Sequence, residues 1–392
     1  MKVNVLICSC IDFSKISAAK NRVLRMAHSL RLFGVECTIV GISSKEYCEE
    51  IIENNIKLIS IKHISKKSNF YYSKLLKHSF GCSAAYKEEL PKILGSADVD
   101  LILSYTYLSS VSSVLLEISK KHNIKIVFDM VENFRFGFHK FFNGMYFQQK
   151  IFMYRDAVSA DGLISISSSW VEWCNRRDIR TTQIPGFMPY EKPINIPTKF
   201  KDKKSNLFAK NKIVFLGKIN AREQFWKIFQ SVSLCKKNYG IDVDLVIIGK
   251  KIGGAVGFLI DFYINHFSSI SIKYTGLVDD HERDCWLKKS DLFILLRANN
   301  KETSFSFPTR FPEYLSFNKP IIISPTSDFL SLTQSHKDIY LLTSNNPSEI
   351  SNCISLILNN RSPTNHARLT NKLSSKVMGK KLFLFITSLC NE

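Results

Sequence analysis

The sequence predicts two successive α/β domains, each a mostly parallel sheet covered by helices. Three observations carry that expectation. Short apolar runs alternate with stretches of helical period along the chain, and the alternation is interrupted by a basic, proline-containing segment at residues 191–206. The length of 392 residues suits two domains at roughly 100–200 residues each. The first domain opens on an apolar run at residues 3–8. Residues 21–33 follow, with Val23, Leu24, Ala27, Leu30 and Leu32 close to the 3.6 period of an amphipathic helix. Gly34 is placed to end that helix, and residues 36–40 resume an extended apolar run. This is a βαβ unit, which implies parallel strands. Further strands are expected at 58–61, 101–104, 124–128 and 162–165, with a helix at 109–120. After the break, strands are expected at 213–216, 244–248, 270–274, 292–296 and 320–323. The expected organisation is a first domain over 1–190, a linker over 191–206 and a second domain over 207–364. A helical segment at 365–392 is expected to pack back on the first domain. Ligands of such sheets bind beyond the carboxyl ends of the strands, and two such edges are expected to face each other across a cleft.

Composition narrows the function. With 45% hydrophobic and 22% charged residues, the chain is neither disordered, collagen-like nor a small disulfide scaffold. Lys and Arg number 54 against 34 Asp and Glu, a formal net charge of +20, which favours an anionic partner: a phosphate-bearing ligand, nucleic acid or an acidic membrane surface. The N-terminus reads as a strand rather than a signal peptide, and no apolar run is long enough to span a membrane. The 10 cysteines run from Cys8 to Cys390 without a C-x-x-C pair. That argues against a zinc cluster and for free thiols in a reducing compartment, so a cytoplasmic enzyme without a tightly bound metal is expected.

The most informative stretch is residues 304–324, SFSFPTRFPEYLSFNKPIIIS. It reads as a loop entering a helix that Ser306 or Thr309 can cap, with Pro308 in the first turn, Asn318 as a left-handed end and Pro320 opening the next strand. A helix N-terminus there, with Arg310, suits a diphosphate, and Glu313 could accept hydrogen bonds from a ribose diol. An ordinary capped helix with solvated charges accounts equally well for these residues on physics alone. The segment resembles the nucleotide-sugar motif of GT-B glycosyltransferases, especially family 4, in the variant F-P-[ST]-[KR]-x-x-E-Y-L-x-x-G-K-P-[IV]-[IV]. Phe307, Pro308, Thr309, Arg310, Glu313, Tyr314, Leu315, Lys319, Pro320, Ile321 and Ile322 match it. The resemblance implies that Glu313 binds the nucleotide ribose. Asn318 replaces the usual Gly, and Phe305 stands where the first glutamate of the family motif would fall.

Other segments resemble the same family in order. Residues 20–40 are similar to its first loop and helix, which makes Arg22 a donor-site candidate, although Ala18 and Ala19 stand where a glycine pair is usual. Asp129-Met-Val-Glu132 resembles its D-x-x-E segment, residues 160–167 its A-D-x-[IV]-x-x-S stretch, and Ile184-Pro-Gly186 the turn closing the first domain. Phe215-Leu-Gly217-Lys218 through Arg222 resembles the opening of the donor domain. Rival fingerprints are missing: the sequence has no G-x-G-x-x-G, no P-loop and no G-x-S-x-G elbow, and the nine His show no H-E-x-x-H.

The resemblance implies a retaining transferase working on a UDP- or GDP-sugar, with front-face attack by the acceptor hydroxyl. Lys218, Arg222 and Arg310 would meet the charge developing on the departing diphosphate. Asp129 or Glu132 would orient or deprotonate the acceptor, although an acid at a strand end is often only a helix cap. The surplus charge is uneven. Between Glu53 and Glu88 there are seven lysines and no acid, with Phe70, Tyr71, Tyr72 and Phe80 interleaved. Residues 134–147 are dense in aromatics beside Arg135 and Lys140. Such stretches suit peripheral contact with an anionic membrane, and so a glycan or lipid-linked acceptor in bacterial surface polysaccharide assembly. Solvated lysines and a packed aromatic core are the plainer reading. Two other classes stay open: a GT-B scaffold that binds no donor, and a basic nucleic-acid-binding protein. No nucleic-acid module is recognisable, and nucleic acid is not the expected partner.

Overall fold

A computed structural model describes residues 3–15, 17–44, 47–52, 56–64, 74–133, 144–189, 211–217, 221–249, 257–258, 261–262, 270–333 and 336–392. The expected linker at 191–206, Lys218, the aromatic residues 134–143 and much of the lysine-rich stretch after Lys62 lie outside them. The chain divides into two compact units. Met1–Tyr190, Ser304–Phe307 and Asn371–Glu392 form the first; Glu191–Thr303 and Pro308–Thr370 form the second.

In the first unit, strands β1 (Asn4–Ser9), β2 (Glu36–Ser43), β4 (Ile56–Lys62), β5 (Leu101–Tyr105), β6 (Lys125–Met130), β7 (Gly162–Ser165) and β8 (Thr181–Gln183) run parallel, and β3 (Cys48–Ile52) pairs antiparallel at one edge. Their order is β3-β4-β2-β1-β5-β6-β7-β8, so the topological switch falls between β1 and β5. Helices α1 (Ala18–Arg31), α2 (Lys74–Ser96), α3 (Ser109–His122), α4 (Met145–Ile151) and α5 (Ser168–Asn175) make the crossovers. Helix α1 starts three residues before the apolar period does, because the Ser17 side chain accepts the Lys20 N–H and caps it. Gly34 sits beyond its end at φ +78°.

The second unit holds β9 (Asn211–Leu216), α6 (Phe225–Tyr239), β10 (Val243–Ile248), β11 (Ser271–Gly276), α7 (Asp280–Lys289) and β12 (Leu292–Leu295). There follow α8 (Lys301–Ser304), α9 (Arg310–Leu315), β13 (Ile321–Ile323), α10 (Ser327–Thr333), β14 (Ile339–Leu341), α11 (Pro347–Asn359) and α12 (Ala367–Lys372). All six strands are parallel in the order β11-β10-β9-β12-β13-β14. That is the doubly wound nucleotide-binding order, with its switch point between β9 and β12. Strands buried on both faces read as continuous apolar runs, as Leu245–Ile248 and Ile321–Ile323 do.

The last helix, α13 (Ser375–Cys390), returns to the first unit and lies on α1, with Met378, Leu382, Ile386 and Leu389 in that unit's core. Gly379 permits the close approach: a Cβ there would meet the Ser29 carbonyl oxygen at 2.4 Å. Among the described residues, no helix is long and apolar enough to cross a membrane.

Candidate functional site

The carboxyl end of β9 is the centre of the charged site in the second unit. Helix α9 fastens that strand end through both backbone polar groups of one residue, Leu216. The Tyr314 hydroxyl accepts the Leu216 N–H at 3.1 Å, and the Arg310 guanidinium donates to the Leu216 carbonyl. Arg310 and Tyr314 are four residues apart and so share one face of the helix. The Tyr314 ring lies parallel to Phe293 of β12, centroids 4.2 Å apart, so α9 is tied to both strands of the switch point.

Gly217 follows at φ +131°, a conformation suited to glycine, and a Cβ there would meet Arg310 Nη1 at 2.8 Å. Arg310 also pairs with Glu223, whose other oxygen takes Arg297 Nη1 at 3.0 Å. The Arg222 charge reaches Arg297 as well. Burial pushes the Arg297 guanidinium down to about 10; Glu223 opposes the shift, and the like charges of Arg222 and Arg310 add to it. Two guanidinium groups on one carboxylate, with the Arg222 charge near Arg297, leave a positive surplus at the edge where a doubly wound sheet takes its ligand. Such a place suits an anion.

The remaining second-unit candidates are placed as follows. Pro308 is buried, and its carbonyl accepts the Phe311 N–H at 3.0 Å. Thr309 occupies the position before α9, but its side chain makes no capping hydrogen bond, which corrects the expected Thr309 cap. The backbone there is already helical, at φ −60° and ψ −19°, and α9 is only six residues long. Glu313 sits one position from Tyr314, on a neighbouring face, with its charge near Arg283. Asn318 adopts the expected left-handed conformation at φ 48°, and its Oδ1 accepts the His366 N–H at 3.2 Å. Phe305 clusters with the first unit, edge-on to the buried Trp170 ring at 4.7 Å.

In the first unit, Arg22 and Asp129 are brought together. The guanidinium donates from Nε to Asp129 Oδ2 at 2.6 Å and from Nη2 to Oδ1 at 2.8 Å, and Nη2 also reaches the Ile184 carbonyl at 3.0 Å. Both side chains are buried, so this fork ties α1, β6 and the chain after β8 together. Glu132 follows β6, three residues after Asp129. Burial and the Glu132 charge push the Tyr107 phenol up to about 12. Burial, Asp129 and Glu132 raise Tyr105 likewise, with Arg22 opposing. Both phenols therefore remain hydroxyl donors at neutral pH beside a carboxylate.

Residue pattern alone missed Arg297 and Glu223. Their only signal was position: Arg297 is the second residue past β12 at the switch point, and Glu223 follows Arg222.

Residues 198–374 match the family model described as Glycosyl transferases group 1. No curated protein matches the chain. Solved structures share its fold along the whole length. An α,α-trehalose 6-phosphate synthase of Burkholderia multivorans is 11% identical, with 100% of this chain and 99% of that one covered and a TM-score of 0.68. The lipopolysaccharide outer core galactosyltransferase WaaB is 14% identical, with 98% and 99% covered and a TM-score of 0.65. An E. coli trehalose-6-phosphate protein bound with UDP-2-fluoro glucose is 12% identical, with 99% of each chain covered and a TM-score of 0.63. Two doubly wound α/β units, the second carrying the family match, define a glycosyltransferase of GT-B fold.

Proposed function

We propose that this glycosyltransferase transfers a sugar, with retention of configuration, from a UDP- or GDP-sugar to a glycan or lipid-linked acceptor in bacterial surface polysaccharide assembly. The observation that carries the donor half is the pairing of Arg297 and Arg310 with Glu223, with the Arg222 charge reaching Arg297, at the switch point of the family-matched unit. Negative charge grows on the diphosphate as the glycosidic bond breaks, and fixed cations in a water-poor site stabilise that change most. Arg222 and Lys218, the residue after Gly217, meet that charge. Gly217, Pro308 and Thr309 line the phosphate side, and Glu313 takes the ribose. Binding of UDP-2-fluoro glucose by the E. coli neighbour supports a nucleotide-sugar donor. Retention follows from the family 4 resemblance of residues 307–322.

In the first unit, Glu132 is the carboxylate that orients the acceptor hydroxyl. Asp129 holds Arg22, with both of its oxygens engaged, and so serves to position β6 and α1 rather than to move a proton. A surface glycan as acceptor draws support from the lipopolysaccharide galactosyltransferase neighbour. Contact with an anionic lipid surface, at the cytoplasmic face of the membrane, draws support from one stripe. Phe147, Ile151, Tyr154 and Val158 are 48%, 43%, 57% and 40% exposed along one helical run, with Lys150, Arg155 and Arg177 beside them.

Arg222→Ala is expected to lower kcat by at least tenfold with little change in donor affinity, because the charge it meets develops during departure. Glu313→Ala should instead weaken donor binding and leave the fold intact. Initial rates against nucleotide-sugar concentration separate the two. Unchanged turnover in Arg222→Ala would overturn the diphosphate role, and unchanged donor affinity in Glu313→Ala the ribose role.

A further inference from the structure

His63, just past β4, and His78 and Cys82 on α2 bring their donor atoms within 4.8 Å of one another. They lie in the first unit. His78 and Cys82 are one helical turn apart, so both face the same way. Cys82 Sγ is 3.5 Å from His78 Nε2. Bonds of about 2.3 Å to sulfur and about 2.0 Å to nitrogen, at the tetrahedral angle, place two zinc donors roughly 3.5 Å apart.

His63 is held over the same turn. Its ring lies nearly parallel to His78, centroids 5.1 Å apart, and its Nε2 is 3.2 Å from the His78 carbonyl oxygen. That approach depends on Gly81, where a Cβ would stand 2.3 Å from His63 Cε1 and Nε2. The Lys15 charge reaches His78 but is paired with Asp12 at 2.6 Å.

We infer that His63, His78 and Cys82 form a site for a divalent zinc-class ion. Two imidazoles and one thiolate are a donor set that suits Zn²⁺ over Mg²⁺ or Ca²⁺, with solvent in the fourth position. The ion would tie α2 to the end of β4. The expectation of no bound metal rested on the missing C-x-x-C pair and on the lack of H-E-x-x-H or comparable histidine spacing. The histidine–cysteine spacing of four within α2 is the signal it passed over, and His63 joins only through the fold.

The test uses untagged full-length protein freed of metal by chelation, then titrated with Co²⁺ and with Zn²⁺ against a chromophoric competitor. One equivalent of Co²⁺ should bind with a thiolate-to-metal charge-transfer band and the intense visible absorption of a tetrahedral site, and Zn²⁺ should displace it. Cys82→Ser should abolish the charge-transfer band. His63→Ala and His78→Ala should each weaken Zn²⁺ at least tenfold. Gly81→Ala, which alters no donor but crowds His63, should weaken it too. Circular dichroism confirms that each variant is folded. The wild-type spectrum decides the matter even if a variant fails to fold: binding without a thiolate band, or no stoichiometric binding, overturns the site.

Discussion

At the residue scale, some charged groups hold the protein together and others face a ligand. Asp129 and Arg22 looked like reacting groups in the sequence, one as an acceptor base and one as a donor contact. In the structure each is the other's partner, in a bidentate pair whose side chains are 0% and 4% exposed. Removing one member of such a pair leaves an uncompensated buried charge, at a cost of about 3–5 kcal/mol, whereas replacing both with apolar residues is often tolerated. Asp129→Ala is therefore expected to lower the urea midpoint strongly, and Arg22→Met with Asp129→Leu to recover most of the loss. Asp129→Ala with wild-type stability and no transfer would instead make Asp129 a reacting group. Phe305 makes a similar point. Where the resembled motif carries a glutamate, this chain has a ring packed on Trp170, so the position serves packing.

At the scale of elements, the resembled motif acquires a mechanical meaning. Arg310 and Tyr314 close both hydrogen-bonding groups of Leu216, and Glu313 between them faces elsewhere. The spacing that made this segment recognisable is the spacing needed to clamp a strand end and leave one acid over. What the pattern could not supply was the partner strand, since side-chain direction at a strand end depends on tertiary packing. The same limit explains the missed strands. β3 is exposed along most of its length, and β8 and β14 have three residues each, so none carries an apolar period. The buried parallel strands were legible to within a few residues because they are nearly all apolar.

The helical run from Met145 to Ser159 carries the membrane proposal. Ile151→Asp with Tyr154→Asp, both on the exposed stripe, should reduce sedimentation with anionic vesicles severalfold and leave donor binding unchanged. Equal sedimentation of this variant and wild type would remove the stripe as the contact.

At the scale of the whole molecule, two features are readable in the sequence alone: the repeated α/β alternation and the positive surplus. The alternation became two doubly wound sheets. The surplus of +20 was uninformative about fold, but two of its arginines converge on Glu223 and the charge of a third, Arg222, reaches one of them. That convergence joins residues from β9's following loop, from the end of β12 and from α9, and no local pattern contains it. Only the strand order, with its switch between β9 and β12, explains why these segments meet.

The central claim is that this convergence binds the diphosphate of a nucleotide sugar. A thermal-shift panel of UDP, GDP, CMP and their sugars tests it most directly, because a ligand that binds only the native state raises Tm by mass action. One nucleoside diphosphate and its sugars should raise the Tm of the wild-type protein, with a clearly smaller rise in Glu313→Ala. No rise with any nucleotide or nucleotide sugar, together with a rise on adding a single-stranded oligonucleotide, would contradict the account.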